Sequence, residues 1–156
     1  MPIVVTRIDE RLIHGQVAYS WSVEYQVSSI LVIDDQIAVD ETQKLLLSLA
    51  VPAGKKHAIL NTDDAIKYIQ ENESRERIFI VVKSPASLLQ LVEKGVQLTT
   101  VNVGGMYYKP GKKEISKTVY IDAQDQADFR GLKEHGVECE IRTSPKDRSK
   151  NMFDYI

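Results

Sequence analysis

Seven short runs of β-branched and aliphatic residues recur along the chain, and the stretches between them place apolar residues at helical spacing. IVVTRI (3–8), ILVI (30–33), AIL (58–60), IFIVV (78–82), TVNV (100–103), VYI (119–121) and VECEI (137–141) predict strands. Several are apolar without alternation, the pattern of strands buried on both faces of a parallel sheet. Helix signals fill the gaps. SPASLLQLVEKG offers Ser84 as N-cap, Pro85 at the first helical position and Gly95 beyond the end. DAQDQADFRGLKEHG starts on Asp122 with Asp125 three residues on, a capping box in which Asp replaces Glu, and closes on Gly136. NTDDAIKYIQ can be capped by Asn61 or Thr62, DETQKLLLSLA supplies another helix, and after Gly15 the residues Val17, Trp21 and Tyr25 share one helical face.

Strand–helix alternation of this kind predicts an α/β fold, an open and mainly parallel sheet with helices on both faces. One stretch departs from it. GGMYYKPGKKEISKTVYI joins two strands with no helical pattern and with an exposed turn at Pro110–Gly111, so the last strand is free to pair antiparallel. Trp21 and the leucines 45–47 are expected in the core.

The chain of 156 residues, read as a single domain over 1–156, is long enough to bury a sizeable core. A formal net charge of -2 argues against a nucleic-acid-binding or membrane-surface protein, which carries a basic excess. The lone Cys139 in an alternating GVECEI context reads as a buried, inert thiol. No apolar run is long enough to span a bilayer and no signal peptide is visible at MPIVV, so a cytoplasmic location is expected.

In open α/β sheets ligands bind outside the carboxyl ends of the strands. Three polar clusters fall there: RIDERLIHG after the first strand, IDDQ with Asp34 and Asp35 after the second, and NVGGM with Gly104 and Gly105 after the fifth. His14 precedes Gly15 at the start of a helix, whose free amides and partial positive charge suit a phosphoryl group, an effect of roughly 0.3–1 kcal/mol. A neutral imidazole there is a nucleophile towards phosphorus. Arg11 can contact phosphoryl oxygens bidentately and stabilise the transferring group. Asp9 repels phosphate, so its expected task is to orient His14 or an arginine. Arg7, Leu12, Ile13, Gly15 and Gln16 complete the expected phosphate-binding loop and helix start, and Asp34, Asp35, Gly104 and Gly105 the rim.

Bland readings compete with these. A single His in a charged loop is more often solvated than catalytic, and His57 and His135 read as structural. GG at 104–105 lacks the GxGxxG spacing of a dinucleotide site. Asp34 and Asp35 lack a third ligand, so no metal site is expected. The basic run KPGKKEISK reads as solvated, or as a dock for an acidic partner. Two rival functions are a non-enzymatic anion- or phosphate-sensing binding module and a hydrolase with His14 as base; the latter lacks a nucleophile-elbow motif.

RIDERLIHGQV (7–17) resembles the signature loop of the IIB components of the mannose/fructose/sorbose family of the bacterial phosphoenolpyruvate-dependent sugar phosphotransferase system. The likeness continues in Trp21, VIDD (32–35), NVGGM (102–106), KPGKK with ISKTV (109–119) and GVECEI (136–141). It implies a phosphocarrier in which His14 takes a phosphoryl group on Nδ1 from a phosphohistidine of a IIA partner. The group then passes, with Arg11 assisting, to a sugar bound in the membrane IIC–IID complex. It also implies a seven-stranded, mainly parallel sheet, no cofactor on this component, and a place at the inner face of the membrane through IIC–IID. Where many relatives have DDR this chain has DER, which keeps a carboxylate at position 10. Mannose, fructose, sorbose and N-acetylgalactosamine all remain open as the sugar, and a homodimer is allowed.

Overall fold

The computed structural model describes residues 2–72 and 74–156. Its main sheet has seven strands in the order β3-β2-β4-β1-β5-β8-β9. These are β1 (Ile3–Asp9), β2 (Ser29–Ile33), β3 (Lys56–Leu60), β4 (Ile78–Val82), β5 (Thr100–Gly105), β8 (Glu138–Ile141) and the two-residue β9 (Lys150–Asn151). β2 and β4 are buried at every position, as strands covered on both faces must be. β1 pairs parallel with β4 on one side and β5 on the other.

Among the described residues five α-helices cover the sheet: α1 (Gly15–Glu24), α2 (Glu41–Leu49), α3 (Thr62–Glu71), α4 (Pro85–Glu93) and α5 (Ala123–Glu134). Ala18 and Trp21 of α1 and Leu47 of α2 pack with Val5, Val32, Phe79 and Val81 on one face. Ala65 of α3, Leu88 of α4 and Phe129 of α5 pack with Ile8, Leu31, Ile80 and Val103 on the other. The chain therefore leaves β1 towards one face and the adjacent β4 towards the other. That reversal opens a crevice at the carboxyl end of β1, where the charged loop lies.

The strand read at 137–141 runs parallel to β5, not against it. The antiparallel member is β9, which returns along β8. Nor does the VYI run join the main ladder. β7 (Val119–Ile121) pairs antiparallel with β6 (Lys113–Ser116) as a hairpin and meets the rim through a parallel bridge between Met106 and Val119. A segment with no crossover helix cannot return a strand parallel to its predecessor, so it folds back locally. Lys112 in its basic run is not solvated: its Nζ lies 2.8 Å from Asp125 Oδ2, tying the hairpin to the start of α5.

Asn61, not Thr62, caps α3, and the Asp122–Asp125 capping box of α5 is formed as predicted. Trp21 is in the core, but Leu45 and Leu46 are 62% exposed. α2 turns Leu47 towards the sheet and buries none of its residues, so the expectation of three core leucines is corrected to one partly buried side chain. Cys139 is buried, and desolvation pushes its thiol up to about 12, which leaves it protonated and inert.

Candidate active site

β1 delivers Asp9 to the rim, and a tight turn follows in which the Leu12 amide donates to the Asp9 carbonyl at 2.9 Å. Leu12 has φ +58, a left-handed conformation that a leucine adopts only where its surroundings enforce it. Burial of the Leu12 and Ile13 side chains enforces it here, with 5% and 3% of each exposed. Their side chains are thus anchors of the turn, and only their backbone faces the site. The turn sets His14 as the extended N-cap residue of α1, with no side chain hydrogen-bonded to the first amides and no acid in the first turn. Orphan N–H groups of a helix start are therefore left for another acceptor.

The imidazole is hydrogen-bonded through one nitrogen and only faces a carboxylate with the other. Nδ1 lies 3.1 Å from the Leu12 carbonyl oxygen, and Nε2 lies 4.0 Å from Asp9 Oδ2. Nε2 is buried without a hydrogen-bond partner, although the side chain as a whole is 25% exposed. Asp9 itself is fully buried and accepts from Arg7 of β1 and from Arg11 of the loop. Its Oδ1 takes the Arg11 amide at 3.1 Å and Arg11 Nε at 3.0 Å, while Oδ2 takes Arg11 Nη2 at 3.0 Å and Arg7 Nη2 at 3.2 Å. Hydrogen bonding to Asp9 raises the Arg11 pKa above its already high ordinary value. The Arg11 side chain stays 44% exposed, so it is paired yet open to solvent.

Arg7 corrects an expectation. It is only 2% exposed, so it lies beneath the rim and not at its surface. Nη1 donates to Asn102 Oδ1 at 2.8 Å and to the Arg142 carbonyl at 2.9 Å, and Nη2 to Asp9 and, at 3.2 Å, to the Thr143 carbonyl. Its guanidinium carbon sits 5.4 Å from the centre of the Trp21 ring, with that of Arg142 at 5.7 Å. Burial pulls the Arg7 pKa down, and Asp9 opposes that pull. Gly104 has no side chain for the same reason: a Cβ there would lie 1.9 Å from Arg7 Nη2. At Gly105 a Cβ would come 3.0 Å from Asp9 Oδ1. The two glycines make room for the charges of β1.

Asp34 and Asp35 are not gathered with His14. Asp34 Oδ1 accepts from the Gln36 and Ile37 amides, and Asp35 Oδ1 from the Thr62 amide at 3.0 Å. Both are occupied in fixing turns beyond β2, which is separated from β1 by β4. Gly15 and Gln16 are exposed at the start of α1. Among the described residues no three His, Cys, Asp or Glu side chains cluster as metal ligands, and no helix is long and apolar enough to cross a membrane. Asn102 and Arg142 also contribute to the site. The signal for Asn102 lies in the register, because it stands opposite Arg7 across the β1–β5 pair; no local signal marks Arg142.

Fold and loop together define a doubly wound α/β domain that holds one histidine against a buried carboxylate at an uncapped helix start. A family model described as the PTS system sorbose subfamily IIB component matches residues 3–156, and the chain belongs to that family. It is 38% identical to the sorbose-specific EIIB component of Klebsiella pneumoniae over 100% of this chain and 96% of that protein. To the N-acetylgalactosamine-specific phosphotransferase enzyme IIB component 2 of Escherichia coli (strain K12) it is 39% identical, over 99% of this chain and 98% of the other. The mannose-specific EIIAB component of the same strain is 38% identical to the whole chain, which corresponds to 49% of that longer protein. The crystal structure of the IIBSor domain of the Klebsiella pneumoniae sorbose permease superposes with a TM-score of 0.94 at 36% identity, covering 99% of this chain and 96% of that one.

Proposed function

We propose that this chain is the phosphocarrier of a sugar uptake system. His14 accepts a phosphoryl group on Nδ1 from a phospho-IIA protein and passes it to a sugar bound in the membrane IIC–IID complex, at the inner face of the membrane. The observation that carries this reading is the asymmetry of the imidazole. Nε2 is buried towards Asp9 and closed to a donor protein, whereas Nδ1, which here faces the Leu12 carbonyl as an N–H, reacts once the ring has taken the tautomer with its proton on Nε2 and has turned from that carbonyl. The uncapped amides of α1 and the exposed Arg11 guanidinium supply hydrogen-bond donors for its oxygens. Asp9 orients both His14 and Arg11. No cofactor enters these steps. Relatives named for different sugars are about equally similar, so the proposal extends to the mannose, fructose, sorbose and N-acetylgalactosamine class and no further.

The test is phosphoryl transfer from labelled phosphoenolpyruvate through the general carriers and the cognate IIA protein. Wild type is expected to carry an acid-labile, base-stable label that His14→Ala lacks. Unlabelled wild type beside a charged cognate IIA would sink the proposal and leave a reversible anion-binding module.

A further inference from the structure

We infer that Asp9 exchanges cations during phosphoryl transfer, giving up Arg11 and taking the His14 imidazolium, while buried Arg7 stays on Asp9 throughout as a positioning residue. The inference rests on the function proposed above. A fully buried carboxylate must keep cationic partners, and two guanidinium groups share its Oδ2. They differ in freedom. Arg7 is held by four acceptors, from β1, from β5 and from the turn after β8, and is almost wholly enclosed. The Arg11 side chain bonds to Asp9 alone among the described residues and has nearly half its surface in solvent. Arg11 can leave; Arg7 cannot.

The chemistry creates the replacement. Facing the Leu12 carbonyl, the resting ring holds its proton on Nδ1; that proton is lost to solvent and one is taken up on Nε2 as the ring turns from the carbonyl, and Nδ1 then attacks from this second tautomer. The new N–P bond forms as the N–P bond of the donor phosphohistidine breaks, and the bonding pair returns to the donor imidazole. The His14 ring is left as an imidazolium whose proton sits on Nε2, the nitrogen 4.0 Å from Asp9 Oδ2. A cation thus appears beside Asp9 as the incoming phosphoryl charge draws Arg11 away. Asp9 has Arg7 and Arg11 before the step, and Arg7 and the imidazolium after it. Without Arg7, Arg11 would be the only guanidinium on a buried anion and would be retained by it. Onward transfer reverses the exchange.

Nitrogen-15 NMR of the arginine side chains, recorded on the full chain before and after loading by phospho-IIA, tests this directly. The Arg11 Nε–H signal, assigned with Arg11→Lys, is expected to shift on phosphorylation while the Arg7 side-chain signals hold still. An unmoved Arg11 signal on a protein proven to carry phospho-His14, or Arg7 signals that move with it, would overturn the exchange and leave the phosphocarrier reading intact. Failure to load His14 at all would overturn the reading itself and the exchange with it. In kinetics, Arg7→Gln is expected to slow loading by phospho-IIA about tenfold or more, with Arg7→Gln/Arg11→Gln no slower than Arg11→Gln alone. Additive losses would assign Arg7 a merely structural part. If Arg7→Gln does not fold, the wild-type spectra still decide.

Discussion

Two helices lie on the same face of the sheet and are stabilised in opposite ways. α2 is specified locally: Asp40 accepts from the Gln43 amide at 3.1 Å, Glu41 sits in the first turn, and no residue of the helix is buried. α1 lacks both a side-chain cap and a first-turn acid, yet buries Ala18, Trp21 and Ser22. A cap and an anion compete for the same amides. α1 leaves its amides free and is held by packing, whereas α2 spends its amides on a cap and packs little. Free amides are not confined to α1, since Ser84 leaves the start of α4 without a side-chain cap as well; what sets α1 apart is that its free amides adjoin His14.

The contrast can be broken from either side. Trp21→Ala removes the anchor of α1 and the face on which Arg7 rests, and is expected to cost ~3–5 kcal/mol in denaturant unfolding. Gly104→Ala drives a methyl group into the Arg7 guanidinium; a loss of ~3 kcal/mol is expected from displacing a buried, paired charge, together with loss of phosphoryl loading. Asp40→Ala takes the cap from α2 for about 1 kcal/mol, seen as a lower unfolding midpoint with phosphoryl loading unchanged. His14→Ser supplies the cap that α1 lacks, so stability should hold or rise by up to ~1 kcal/mol while loading is abolished. Smallest of all, Leu46→Ala on the exposed face of α2 should stay within ~0.5 kcal/mol of wild type. A large loss there would show that α2 packs more tightly than its exposure implies.

Local signals in the sequence locate most of the fold and the loop that carries His14. Asp122 with Asp125, and Pro85 after Ser84, mark helix starts through chemistry confined to one turn. The apolar runs of β2 and β4 mark central strands because burial on both faces leaves no polar alternation. What escapes is what depends on long-range partners. Arg7 reads as a rim cation because its composition is that of a surface residue; only the approach of Asn102, Arg142 and Thr143 makes it an interior one. The leucines of α2 read as core because they form an apolar cluster, although neighbouring helical positions point in different directions and only Leu47 faces the sheet. Gly104 and Gly105 read as rim residues, and only the register sets them beside the charges of β1.

The bonds from Arg7 to the carbonyls of Arg142 and Thr143 span 135 and 136 residues of sequence. On a ribosome, which releases the N-terminal end first, the loop around His14 emerges long before the strand end that completes it. Until then the Arg7 guanidinium lacks two of its acceptors and cannot be buried without loss. The charged loop near the N-terminus is therefore among the last parts of the domain to mature, and a nascent chain stopped short of residue 142 carries the histidine without the frame that aims it.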